Sequence, residues 1–244
     1  LVIIKILFLN SINMARICHK RLSKEIQKFK SDPLKNIYID YDDNDITHMR
    51  CLIIGPEGTP YENGFYFIEM KFPDNYPHAP PKCTFMNQFT TKPYIRFNPN
   101  LYADGKICLS ILGTWSGEPW SPNMNLKTVL LQIQTRMNEN PMTNEPGYEG
   151  YNITDPQVKD YANLIWYYNL KYSTYYVLKN MNNKFQRYKC FSKIIYNYFQ
   201  KNKRKYLKSI QYNMKLNNKK IRTHYNMGDT LFLNQLFDEI KYFK

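Results

Sequence analysis

The sequence predicts an α+β domain, with helices packed on a small antiparallel sheet. Three observations carry this. Residues 15–30 have helical character, with Ile17, Leu22, Ile26 and Phe29 forming a rough apolar stripe. Four strand-like runs follow, joined by short turns. After a long irregular loop, the chain returns to helical spacing at Leu126.

Each element has a local reason. Ser31-Asp32-Pro33 stops the first helix. The runs Ile37–Tyr41, His48–Ile54 and Phe65–Phe72 are predicted strands, and in the third Tyr66, Ile68, Met70 and Phe72 alternate with Phe65, Phe67, Glu69 and Lys71. Gly55-Pro56-Glu57-Gly58-Thr59-Pro60 and Glu62-Asn63-Gly64 supply turns. Pro73 to Pro81 carries four prolines, which excludes helix and central strand. Lys82–Phe85 closes the meander. Residues 86–125 are mostly irregular, and a loop of that length in a compact domain is usually functional or disordered. Leu126, Val129, Leu130, Ile133 and Met137 share a helix face that ends before Pro141. Further helices begin with Asp155 as N-cap and Pro156 at the first helical position.

The chain has 244 residues, enough for one domain plus a substantial extension. Its Asn, Lys, Ile and Tyr content fits an AT-rich coding bias. Charge is unevenly placed. Residues 1–150 hold 16 Lys and Arg against 15 Asp and Glu, whereas residues 151–244 hold 18 against 5. Nearly all of the net +14 therefore lies in the second part. The five cysteines, Cys18, Cys51, Cys83, Cys108 and Cys190, are odd in number and contain no CxxC pair. That argues against a zinc site or a secreted disulfide framework and for a reducing cytoplasmic or nuclear setting. The apolar start Leu1–Leu9 is shorter than the roughly 20 residues a bilayer span needs. Residues 1–13 are expected to be a leader outside the fold, with the helix beginning near Met14-Ala15-Arg16.

The chemistry concentrates around Cys108. Arg96-Phe97-Asn98-Pro99-Asn100 precedes it, Asp104-Gly105 turns the chain between, and Trp120-Ser121-Pro122 follows. This segment resembles the active site of ubiquitin-conjugating enzymes. Other segments match that family in order: Lys20–Glu25 with Asp32-Pro33, Ile54–Tyr61 with Gly64, and Phe72–Pro77 with Pro80-Pro81-Lys82. Ile107–Trp115, Glu139-Asn140-Pro141 and Asn144-Glu145-Pro146-Gly147 resemble the Z-type members more narrowly. Those members share two departures from the wider family: Asn98 where histidine is usual, and extra residues before Asn98 and between Cys108 and Trp120. The resemblance spans residues 16–147. It implies a ubiquitin-conjugating fold over residues 14–150, followed by a basic, Tyr-rich helical extension over 151–244.

The resemblance implies a thioester carrier. Cys108 would accept ubiquitin from an activating enzyme and pass it to a substrate lysine, directly or with a ligase. A thiolate suits this because its thioester stays reactive toward amines. Asn100 is expected to stabilise the oxyanion or to brace the loop through backbone hydrogen bonds. Glu145 is the nearest match to the family's acidic residue at the mouth of the site, with Asn144 the alternative if the register slips; Glu145 could also be a solvated loop carboxylate. Asn98 can replace an imidazole's hydrogen bonds but cannot titrate. Lys20, Arg21 and Lys24 are expected to face the activating enzyme, and His78, Pro122 and Asn123 a ligase, unless they are simply solvated surface. No cofactor or metal is implied.

A papain-like Cys–His hydrolase is the rival enzyme class, but none of His19, His48, His78 and His224 carries a supporting motif. A catalytically inactive family member acting as a scaffold is a second alternative. Cys18, Cys51 and Cys83 read as buried structural thiols. In the extension, Lys201-Asn202-Lys203-Arg204-Lys205-Tyr206, Lys208 and Lys219-Lys220-Ile221-Arg222 interleave basic and aromatic residues. Such a pattern can bind nucleic acid or membrane. The favoured expectation is a packed extension whose Tyr, Ile and Phe meet the core while lysines face water, because no nucleic-acid module signature accompanies it.

Overall fold

The computed structural model describes the backbone of residues 2–87 and 94–243, and side chains from residue 13 onward within those limits. Helix α1 runs Val2–Ser31, so helix continues back through the expected leader. The physical reason is plain: no Gly or Pro interrupts residues 1–31. Its buried face is Cys18, Leu22, Ile26 and Phe29, whereas Ile17 is 53% exposed. The stripe is thus displaced by one position at its start. Lys28 and Lys30 in the last turn suit the negative end of the helix dipole.

Strands β1 (Ile37–Asp42), β2 (Asp45–Ile54), β3 (Phe65–Lys71) and β4 (Lys82–Phe85) form one antiparallel sheet in sequential order. Ile53 pairs with Tyr66, and Ile68 with Phe85. Alternation on β3 suggests one wet face, but six of its seven residues are not solvated: Phe65 to Ile68 and Met70 are buried and Glu69 is half-buried. The extension covers the second face. Phe67 stacks on Tyr188 at 4.4 Å and meets Phe185 at 5.5 Å, and Phe65 meets Tyr198 edge-on at 6.2 Å. Tyr66 lies on the opposite face against Phe85 and Phe97.

Helix α2 (Leu126–Thr135) starts with a reciprocal Asn125–Thr128 capping box. The Glu25 carboxylate of α1 accepts from Leu126 N at 2.8 Å, placing negative charge at the α2 N-terminus. Helix α3 (Pro156–Tyr168) has Pro156 where expected, but the Asp155 carboxylate accepts from Asn152 N at 2.7 Å instead of capping the helix. A π-helical stretch, Asn169–Tyr176, leads into α4 (Val177–Asn180), then α5 (Ser192–Tyr212). An unanticipated hairpin of β5 (Lys220–Arg222) and β6 (Gly228–Thr230) precedes α6 (Leu233–Tyr242).

The extension shares the core. Tyr66 donates to Asn169 Oδ1 at 2.7 Å, Asn169 Nδ2 donates to the Glu62 carbonyl at 2.8 Å, and Tyr206 donates to the Asn63 carbonyl at 2.7 Å. Gly64 is required there, since a Cβ would lie 1.7 Å from Asn169 Oδ1. On α5, Ile195, Phe199, Tyr206 and Ile210 are buried, and Lys201, Arg204, Lys205 and Lys208 are exposed. This is the packed arrangement expected of a basic extension. No helix among the described residues is long and apolar enough to cross a membrane.

Candidate active site

The segment from Arg96 to Cys108 folds back on itself. Gly105 takes a positive φ of 91°, which the Asp104–Gly105 turn needs, and Asp104 accepts from Lys106 N at 2.9 Å. Bridges link Asn98 with Leu101 and Leu101 with Ile107. The ladder ends where Cys108 N donates to the Asn100 carbonyl at 2.9 Å. Three amides around this turn point inward. Asn98, fully buried, donates to Tyr61 Oη at 2.9 Å and to the Arg136 carbonyl at 2.6 Å, and its Oδ1 accepts from Asn100 N at 2.9 Å. Asn100 Nδ2 donates to the Cys108 carbonyl at 2.7 Å. Asn144 Nδ2 reaches the Arg136 and Pro141 carbonyls, both at 3.1 Å.

Cys108 itself is 1% exposed. Burial first, and then the neighbouring Cys108 side chain, raises the Tyr102 phenol above its ordinary value, and Arg96 pulls the other way. The Arg96 guanidinium lies between two rings, 3.7 Å from the centroid of Tyr102 and 4.0 Å from that of Tyr225. Its Nη2 donates to the Pro99 carbonyl at 2.5 Å and stands 3.9 Å from Glu145 Oε2. Tyr225 donates to the same Glu145 oxygen at 2.6 Å. Burial, then the hydrogen bond with Glu145, holds the Tyr225 phenol well above its usual range.

The expected site residues therefore divide. Cys108 and Asn100 meet directly. Glu145 joins them through Arg96 and Tyr102, whereas Asn144 is turned into its own loop. Arg96 was legible only as part of a motif. Tyr102 and Tyr225 carried no signal of their own, and Tyr225 comes from the hairpin far down the chain.

A scan of protein families matches residues 21–168 to the ubiquitin-conjugating enzymes. The chain belongs to this family. It is 44% identical over 132 residues to ubiquitin-conjugating enzyme E2 Z of Xenopus tropicalis, covering 54% of this chain and 42% of that protein. It is 46% identical over 144 residues to probable ubiquitin-conjugating enzyme protein 17 of Caenorhabditis elegans, 56% of this chain and 20% of that one. Putative ubiquitin-conjugating enzyme E2 39 of Arabidopsis thaliana is 37% identical over 160 residues, 62% and 49%. The likeness to Z-type members agrees with the motif reading, and the matched stretch spans less than half of each of these relatives. In this family member, the match continues through α3, beyond the stretch in which motifs were recognisable.

The surface residues also sort themselves. Lys20 and Lys24 are exposed on α1. Arg21 is half-buried: it pairs with Glu25 and donates to the Met124 carbonyl at 3.0 Å, so it ties α1 to the loop before α2. His78, Pro122 and Asn123 are exposed, and Trp120 Nε1 donates to the Pro77 carbonyl at 2.7 Å, joining the two loops that carry them. Among the other histidines, His48 pairs with Asp45 at 2.9 Å and His224 with Tyr148 Oη at 2.8 Å. Cys18 is buried, with its thiol pushed up to about 11 by burial first and by Asp74 and Glu25 next; Cys51 is fully buried and Cys83 half-buried.

Proposed function

We propose that this chain carries ubiquitin as a thioester on Cys108. An activating enzyme that has consumed ATP hands over ubiquitin's terminal acyl group. The new C–S bond at Cys108 then exchanges for a C–N bond to a lysine of a substrate protein, with or without a ligase. The observation that supports this most is the Asn100–Cys108 pairing within the family-matched stretch. One hydrogen of Asn100 Nδ2 braces the Cys108 carbonyl. The second is left to meet an oxyanion forming on the thioester. Glu145 is the acid that would take the amine's proton. The exposed Lys20 and Lys24 suit an acidic face of the activating enzyme, and the loops of His78 and Pro122-Asn123 suit a ligase. A reducing cytoplasmic or nuclear setting fits a thiol used in this way.

Burial of Cys108 favours a second reading, a scaffold without carrier activity, and one assay separates the two. The chain is incubated with ubiquitin, ATP and each available activating enzyme. The expected product is an adduct that reductant removes and that Cys108→Ala abolishes. Absence of any such adduct with every activating enzyme would leave the scaffold.

A further inference from the structure

Tyr225 sits in the left-handed region, at φ 60° and ψ 27°, followed by Asn226 at φ 56°. That conformation is uncommon for a bulky side chain and persists only where surrounding contacts impose it. The contacts are specific. Thr223 N donates to the Met227 carbonyl at 2.9 Å across the loop. On one side Arg96 N reaches Met227 Sδ at 3.2 Å, and on the other His224 meets Tyr148, whose own N donates to the Glu145 carbonyl at 3.0 Å. The loop is thus docked on both segments that frame the site, the one carrying Arg96 and the one carrying Glu145. Its ring closes a Tyr102–Arg96–Tyr225 stack, and its hydroxyl holds Glu145 Oε2.

We propose that Tyr225, supplied by the C-terminal extension outside the family-matched stretch, is a positioning residue for transfer to amines. It fixes Glu145 and Arg96 beside Cys108 so that Glu145 can take the proton of the incoming lysine. This rests on the carrier reading above. In the step itself, the lysine ammonium gives one proton to Glu145. The free amine then bonds to the thioester carbon, and the C–S bond breaks to release the Cys108 thiolate. The second amine proton passes to that thiolate. Transfer to a small thiol needs no such acceptor, since the thiolate attacks already deprotonated. Tyr225 should therefore matter for amines and not for thiols.

The full chain is charged with ubiquitin as wild type, Tyr225→Phe, Glu145→Gln and the double variant. Discharge of each charged pool is followed with free lysine and with dithiothreitol. The ratio of lysine to thiol discharge should fall about tenfold in Tyr225→Phe and about a hundredfold in Glu145→Gln. The fall should lie in the maximal rate, and the double variant should match Glu145→Gln alone. Equal losses with lysine and thiol would make the hairpin a scaffold and overturn the proposal. So would multiplicative losses in the double variant. Faster charging of Tyr225→Ala than wild type would make the hairpin a lid and overturn it as well. Wild type that no activating enzyme charges sinks the carrier reading and this proposal with it, whereas normal charging with an unchanged ratio in Tyr225→Phe sinks this proposal alone.

Discussion

Asn98 and Arg136 are joined by a 2.6 Å hydrogen bond from the side-chain amide to the carbonyl at the end of α2. Asn144 donates to that same carbonyl, so one oxygen anchors both the Cys108 turn and the Glu145 loop. Replacing Asn98 by alanine strips a fully buried network of its centre. The expected cost is about 1–3 kcal/mol, because Tyr61 Oη, the Arg136 carbonyl and Asn100 N lose a partner together. Chemical denaturation of Asn98→Ala would measure it, and a midpoint equal to wild type would count against the network.

Arg21 and its neighbours should part company in experiment. Arg21→Ala removes the bond to Met124 and the pairing with Glu25, and is expected to cost about 1 kcal/mol, discounted because a third of its side chain is in water. Lys20→Ala and Lys24→Ala should leave the melting temperature alone and slow charging by the activating enzyme, most at low salt. Slower charging in Arg21→Ala with no loss of stability would reverse this assignment.

The seam between sheet and extension is a stability determinant. Tyr188 is fully buried, stacks on Phe67 and donates to Glu69 at 2.8 Å. Tyr188→Ala should destabilise the whole chain by about 3–5 kcal/mol in a single transition. Two separate unfolding transitions would show that sheet and extension are independent.

Alkaline pH should loosen the chain. Burial holds the phenols of Tyr66, Tyr161 and Tyr206 well above the ordinary value of 10.0. Because the folded values are raised, the unfolded chain releases these protons first. Their contribution is complete below about pH 10 and is lost as pH rises from there toward the folded values. Denaturation midpoints between about pH 8 and pH 11 should stay level and then fall; a level profile throughout would contradict it.

Local signals sufficed for the strands, the proline loop and the turn before Cys108, because turns, alternation and prolines are set by neighbours in sequence. β4 runs Lys82–Phe85 as predicted, and the other strands shift by a few residues at their ends. The covering of Phe65 and Phe67 was invisible, since it depends on Phe185, Tyr188 and Tyr198 arriving from elsewhere. Ile17 misled because apolar character does not say which way a helix is rotated. At the candidate site, Cys108, Asn100 and Glu145 were picked out by the resemblance, and the fold joins Asn100 to Cys108 and sets Glu145 beside Arg96. Tyr225 was not, because a tyrosine in a chain with 22 of them announces nothing until the hairpin places it.

The Trp120–Pro77 bond has a consequence for encounter. Loops that carry His78 and Pro122-Asn123 would ordinarily sample many mutual arrangements, and a protein docking across both would have to freeze them. Here an indole N–H fixes one loop to the other at 2.7 Å before any visitor arrives. A docking protein meets a single preset edge, so little motion is surrendered on contact and more of the contact energy appears as affinity.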